Sequence, residues 1–246
     1  MSQEIPQARR YSRGERALGW LVHAYTALGL PLNFLSLLAL IDGDAQRFLV
    51  LNLIAVGVDS TDGFLARRLK VWERVPSFDG AKLDDLVDFL TYVFLPAAAL
   101  PILGLLPGSW ALWATLPIIS SGYGFCQRQA KTDDAFVGFP SYWNIGLVYA
   151  YLFQPSPAIL VGSISFLTLM VFVPIHYLYP TKLKSLFWPT VCFAGLYLLS
   201  LLVIVLAPSA PWRTELALAS LSFVVYYTLV SFYRDWRRRQ ALRASS

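Results

Sequence analysis

A chain of 246 residues in which 57% are hydrophobic and only 14% are charged lacks the ionisable surface of an ordinary soluble domain, which carries about 25% charged residues. The composition places it among membrane proteins, and its 15% of aromatic residues can supply interfacial belts as well as a core. The net charge of +5 sits between apolar stretches, where it acts as an orientation signal, and no nucleic-acid partner is expected.

In chain order, residues 1–16 form a polar, basic segment that runs into an apolar stretch. That stretch is too long for the core of a cleavable signal and has no small-residue cleavage site, so a retained helix is predicted. About 20 apolar residues cross a bilayer. Candidate spans follow at 17–41, 45–66, 84–106, 109–127, 138–154, 157–178, 186–207 and 213–233. The breaks between them are polar or rich in Pro and Gly, as at Asp42-Gly43-Asp44, Pro107-Gly108-Ser109 and Pro208-Ser209-Ala210-Pro211. Span 138–154 is short and starts in a polar stretch, which predicts a shallow entry. The predicted fold is all-α, a polytopic membrane bundle of about eight transmembrane helices. Its membrane domain, 17–233, lies between the basic segment 1–16 and a basic tail, 234–246. Cys126 and Cys192 both fall in apolar stretches, so no disulfide framework is expected.

All but two of the 20 Lys and Arg residues fall on one side of this arrangement: the N-terminus, the 67–82 loop, Arg128 and Lys131, Lys182 and Lys184, and the tail. The other side receives only Arg47 and Arg213. By the positive-inside rule both termini are cytoplasmic, which requires an even number of spans.

Ionisable groups inside spans are costly and usually functional, and here they concentrate at one place. Asp59 and Asp62 lie near the cytoplasmic end of the second span, and Asp84 and Asp88 at the cytoplasmic start of the third. The first pair is spaced i,i+3 and the second i,i+4, so each shares a helix face. Asp85 is rotated away by about 100 degrees. A loop on the cytoplasmic side makes the two helices antiparallel neighbours, so all four carboxylates are expected to meet. Four like charges at low dielectric need compensation. Oxygen-only ligands suit one or two Mg²⁺ or Mn²⁺ ions, which can stabilise attacking and leaving oxygens in a displacement at phosphorus. Gly63, Ala66 and Gly80 keep the facing surfaces thin, and Arg67 is placed to grip a phosphate.

The stretch Asp59-x-x-Asp62-Gly63-x-x-Ala66-Arg67, then Gly80-x-x-x-Asp84-x-x-x-Asp88, closely resembles the signature of the CDP-alcohol phosphatidyltransferase family. It departs in one respect: the connection from Arg68 to Asp79 is longer than the family's usual one. That longer loop, the larger number of spans and the stretches Gln129 to Thr132 and Gly138 to Asn144 look like the bacterial branch that uses choline as acceptor. The resemblance implies transfer of a phosphatidyl group from CDP-diacylglycerol to choline with release of CMP. It also implies an inner-membrane enzyme working at the cytoplasmic face, dependent on Mn²⁺ or Mg²⁺, with a homodimer in keeping with the family. Carried over residue by residue, Asp59, Asp62, Asp84 and Asp88 would hold the metals. Asp59, Gly63, Ala66, Arg67 and Gly80 would contact the CDP portion, and Asp88 would be the catalytic base.

Choline's cation cannot donate hydrogen bonds, and aromatic faces are the usual receptor for it. Tyr92, one turn beyond Asp88, and Tyr142 and Trp143, at the mouth of the fifth span, are the candidates, with Tyr25 and Tyr123 behind them. Against this stand belt anchoring for Tyr142 and Trp143 and core packing for Tyr92. His23 and His176 are expected to be structural, Asn33 and Asn52 to bond between helices, and the Lys131, Asp133, Asp134 loop to be a solvated charge cluster. Two alternatives are weighed. Another family member would use serine, inositol or glycerol 3-phosphate, the last needing a basic pocket. A divalent-cation transporter would need ionisable groups continuing across the membrane, and the spans have none.

Overall fold

The computed structural model describes residues 11–244 apart from 129, 133, 134, 184 and 185. Arg9, Arg10, Gln129, Asp133, Asp134 and Lys184 therefore lie outside the described residues. Helix α1 (Arg13–Ala27) starts on a capping box in which Ser12 accepts the Glu15 amide and Glu15 accepts the Ser12 amide. Together these bonds satisfy two otherwise orphaned donors. A one-residue break at Leu28 leads into α2 (Gly29–Ile41). Helix α3 (Ala45–Arg68) starts on Asp44, whose carboxylate accepts the Arg47 amide at 2.9 Å. It stops where Lys70 takes a left-handed φ of 47°.

The long connection that follows is ordered rather than loose. It forms α4 (Val71–Arg74) and buries Val71 and Val75, and Phe78 packs on Trp20 and His23 of α1. Helix α5 (Gly80–Asp88) starts on Asp79 and continues through a π-helical turn, Phe89–Phe94, into α6 (Leu95–Ile102). The remaining elements are a 3-10 segment Gly108–Ala114, α7 (Thr115–Cys126), β1 (Ala135–Val137), α8 (Trp143–Phe153), α9 (Pro157–Phe172), β2 (His176–Leu178), a 3-10 turn Pro180–Lys182, α10 (Phe187–Leu206) and α11 (Arg213–Ala244).

Among the described residues, five rods are long and apolar enough to cross a membrane: Arg13–Ile41, Ala45–Arg68, Gly80–Ile102, Phe187–Leu206 and Arg213–Ala244. Helices α8 and α9 are apolar but shorter. The protein is thus an all-α membrane protein apart from the small β1–β2 ribbon. Span 109–127 divides into a 3-10 segment and α7, and span 138–154 is helical only from Trp143. Helix α11 runs unbroken across position 234, and at 1.5 Å per residue its 32 residues exceed the roughly 30 Å of hydrocarbon.

The core packs Leu40, Phe48 and Leu49 against Leu95, Leu106, Leu201 and Ile204, all fully buried. Leu21, Ile41, Leu112, Ile119, Leu169 and Leu196 point outward, as faces in contact with acyl chains do. Polar residues join the rods inside. Asn33 Nδ2 donates to Thr91 Oγ1 at 2.8 Å, Asn52 Nδ2 to the Thr91 carbonyl at 2.8 Å, and Asn144 Nδ2 to Asn52 Oδ1 at 3.4 Å. The π turn takes part in this: Thr91 lies within it, and its carbonyl accepts from a neighbouring helix. Such interhelical bonds are worth roughly 0.6 kcal/mol each in a membrane, so they set register more than stability.

Candidate active site

Asp59, Asp84 and Asp88 each present a carboxylate oxygen such that the three lie within 4.8 Å of one another. Helix α3 brings the first and α5 the other two, so the antiparallel pairing of these rods gathers them. Asp62, expected as a fourth member, stands outside this set. It is 3% exposed and sits beside Thr26 of α1. Its i,i+3 offset from Asp59 turns it towards α1 rather than squarely towards α5. Asp85 is indeed off the shared face, and it is occupied elsewhere, as described below.

The three carboxylates fit a hard divalent cation. Their donors are all oxygens, they converge from two helices, and Asp88 Oδ1 is buried with no hydrogen-bond partner among the described residues. An orphaned buried carboxylate oxygen is costly unless something meets it. Asp59 is held by a hydrogen bond of 2.5 Å from Tyr92 Oη, a length typical of a hydroxyl donating to a charged carboxylate. Tyr92 is the third residue after Phe89, inside the π turn, and its hydroxyl reaches Asp59 of α3.

The small residues have specific neighbours. A Cβ on Gly63 would meet Arg67 Nη1 at 3.1 Å, so the guanidinium lies back over the glycine. Arg67 Nη2 is buried without a partner among the described residues, leaving a donor directed at the site's edge. A Cβ on Gly80 would meet His23 Cε1 at 2.5 Å, so this glycine makes room for an imidazole that packs at a tilt on Phe78, centroids 4.5 Å apart. Ala66 lies half-buried on α3, one residue before Arg67.

The aromatic candidates separate. The rings of Tyr92 and Tyr142 are 5.9 Å apart, and Tyr142 meets Tyr227 of α11 at 5.9 Å. Tyr227 Oη in turn donates to the Leu178 carbonyl at 2.9 Å. Trp143 is spent differently: its indole N–H donates to Ser121 Oγ at 2.8 Å, and its ring packs on Phe139 in the core. Tyr25 shares a 2.8 Å hydrogen bond with Thr61, and Tyr123 is exposed against Phe172. Tyr227 escaped sequence reasoning because it comes from the last helix. Its only signal is a pair of tyrosines, Tyr226 and Tyr227, in the half of an apolar span that leads into the basic tail.

Lys131 is the larger surprise. Expected in a solvated loop, it reaches the aspartates: its Nζ is 2.8 Å from Asp85 Oδ1, 3.6 Å from Asp84 Oδ2 and 3.9 Å from Asp88 Oδ2. Burial alone would favour its neutral form, but Asp88, Asp84 and Asp85 outweigh that and raise its pKa above the usual lysine range. The ribbon explains its position. Lys131 bridges to Phe136, and Thr132 closes the turn by bonding both ways with Ala135. Strand β1 pairs with β2, and β2 is fastened to α11. There Leu178 N–H donates to Ser231, and His176 donates its backbone N–H to Asp235 and pairs with it through Nδ1 at 2.7 Å. Arg239 completes this anchor at 2.6 Å from Asp235.

No protein-family model matches the chain. It is 36% identical over 227 residues to the phosphatidylcholine synthase of Legionella pneumophila, covering 88% of each chain. To the phosphatidylcholine synthase of Pseudomonas aeruginosa it is 35% identical over 226 residues, 90% of this chain and 94% of that one. To that of Borreliella burgdorferi it is 31% identical, over 90% of this chain and 96% of the other. Identity of this extent, spread over nearly the full length of each, places the chain in the phosphatidylcholine synthase family.

Proposed function

We propose that this protein transfers the phosphatidyl group of CDP-diacylglycerol to the hydroxyl of choline, forming phosphatidylcholine and releasing CMP. The observation that carries this reading is the meeting of Asp59, Asp84 and Asp88 in a chain of this family. The three would hold a divalent cation, Mn²⁺ or Mg²⁺, or a pair of them, with Asp62 at the edge. When bound, such a cation supplies charge stabilisation at the diphosphate oxygens. Arg67 offers its unpartnered Nη2 to a phosphate oxygen, with Gly63 leaving room for the guanidinium, Gly80 for His23, and Ala66 a small face on the same helix. Asp88, through its unpartnered Oδ1, accepts the proton of the choline hydroxyl as that oxygen bonds to phosphorus. The phosphorus–oxygen bond to CMP breaks, and the proton passes from Asp88 to water. Tyr92 and Tyr142, backed by Tyr227, offer ring faces to the trimethylammonium group, while Trp143 supports them through Ser121.

The tyrosine wall favours choline over phosphorylated acceptors, which would need cations on that side. The lipid-facing exterior of the rods suits the acyl chains. We read the topology as eight spans in a bacterial inner membrane, with the basic segments 1–16 and 234–246 and the aspartates at the cytoplasmic face. The test is to supply purified protein in mixed micelles with CDP-diacylglycerol, Mn²⁺ and each of choline, serine, inositol and glycerol 3-phosphate in labelled form. Labelled lipid and CMP are expected with choline alone. Product from another alcohol in preference to choline overturns the acceptor, and metal uptake into vesicles without CMP release would favour a transporter.

A further inference from the structure

Asp84, Asp85 and Asp88 face a single cation among the described residues, the Lys131 ammonium, which arrives from outside the two helices that carry the motif. Its contacts are graded. Only Asp85, which is not one of the three converging carboxylates, lies at hydrogen-bond distance, and Asp84 and Asp88 are 3.6 and 3.9 Å away. Asp85 therefore tethers the ammonium beside the site without filling it. The backbone of Lys131 is held by its bridge to Phe136 and, through the ribbon, by α11. Any movement belongs to the side chain, a flexible stem ending in three donors.

On the reading of Asp59, Asp84 and Asp88 as the cation-holding centre, we propose that Lys131 is a substrate-positioning residue. In the substrate-free enzyme it competes with the divalent cation for Asp84 and Asp88. When CDP-diacylglycerol binds, it moves onto a diphosphate oxygen. The reason is electrostatic. An ammonium and a dication a few ångströms apart repel and would have to share the same Asp84 and Asp88 carboxylates, and the diphosphate is the further anion the reaction brings. Arg67, with its free Nη2 on α3, grips from one side and Lys131 from the other. Each binding event removes a cost from the next: the lipid nucleotide draws Lys131 off the aspartates, and the metal site tightens only when substrate is present. A water-exposed dication site that stayed tight without substrate would have no such order.

The test measures Mn²⁺ binding to substrate-free protein in detergent micelles by the loss of the free-ion electron paramagnetic resonance signal. Lys131→Met is expected to bind Mn²⁺ about tenfold more tightly than the wild type, a coupling of ordinary size. At saturating Mn²⁺ its KM for CDP-diacylglycerol should rise about tenfold with a much smaller change for choline. Lys131→Arg, which keeps the charge, should retain the wild-type Mn²⁺ affinity. Lys131→Gln repeats the measurement should the methionine variant not fold. Unchanged or weaker Mn²⁺ affinity in the uncharged variants overturns the proposal, because a residue that merely props the loop cannot tighten the metal site by leaving. The two readings fail differently. If Asp84→Asn loses the Mn²⁺ bound by the wild type while Lys131→Met binds as the wild type does, only the role of Lys131 falls. If the wild type binds none, the cation-holding centre falls with it.

Discussion

Asp59 receives the Tyr92 hydroxyl at 2.5 Å and faces Asp84 and Asp88 within 4.8 Å, so one side chain ties the aromatic wall to the carboxylates. Two variants separate the ring from the hydroxyl. Tyr92→Phe keeps the ring but frees Asp59 to turn, and the loss of such an outer partner costs about 10–100-fold in metal affinity. We expect the Mn²⁺ requirement to rise on that scale, with little change in choline KM. Tyr142→Ala removes a ring face worth up to about 2 kcal/mol when desolvated, so choline KM should rise by up to about 30-fold while that for CDP-diacylglycerol holds. Steady-state titrations of each substrate and of Mn²⁺ distinguish these patterns, and equal effects of Tyr142→Ala on both substrates would make Tyr142 scaffold. Asp84→Asn removes a convergent oxygen outright and should lower CMP release by at least about 100-fold even at saturating Mn²⁺. Full activity in that variant would remove Asp84 from the centre. At this scale the motif spacing made Asp59, Asp84 and Asp88 legible, because two helix faces on antiparallel neighbours determine where they go. That Thr26 of another helix lies beside Asp62 could not be read from the spacing.

The elements around the site were legible to different degrees, and the difference follows contact range. Helix α3 could be read from its apolar length and the polar break at Asp42-Gly43-Asp44, and the rod opened by α5 from the apolar run after it, although its start, expected at 84, comes at Gly80. The π turn at Phe89–Phe94 could not, because what distinguishes it is long-range: Asn33 and Asn52 bond to Thr91 from other helices. The β1–β2 ribbon was hidden for the same reason, its strands being separated by α8 and α9 and its anchor supplied by Asp235 at the far end of the chain. Trp143 shows what such packing does to a site prediction. Its position before an apolar run suggested a substrate ring, whereas its indole N–H is committed to Ser121. Trp143→Phe leaves a buried hydroxyl without its donor, a loss of about 1–3 kcal/mol. We expect a lower thermal midpoint in detergent and an unchanged ratio of choline to CDP-diacylglycerol KM. A selective rise in choline KM, with no loss of stability, would return Trp143 to the binding site.

For the whole molecule, sidedness depends on charge and on where the rods end. The carboxylate cluster, Lys131 and the Asp235 anchor of α11 share one end of the bundle through the Lys131 and ribbon contacts, and among the described residues that end also carries Arg67 and Arg239. Arg47 and Arg213, each at the start of a long helix, belong at the opposite end. By the positive-inside rule we propose that this asymmetry turns the site towards the cytoplasm, where CMP would leave and choline enter without crossing the bilayer. The orientation is read from the placement of Lys and Arg, whereas hydropathy did not show that 109–127 divides into a 3-10 segment and α7 or that 138–154 is helical only from Trp143: a window of apolar residues does not reveal where a helix breaks. Labelling resolves both points. In a background with Cys126 and Cys192 replaced by serine, a cysteine at Ser109 or Ser209 should react with a membrane-impermeant maleimide in cells whose outer membrane alone is opened. A cysteine at Arg243 or Ser77 should react only after the inner membrane is opened as well. Reaction of Ser77→Cys from outside would invert the protein and leave the aspartates facing the wrong compartment, whereas protection of Ser109→Cys would mean that 109–127 does not cross and that the span count is smaller.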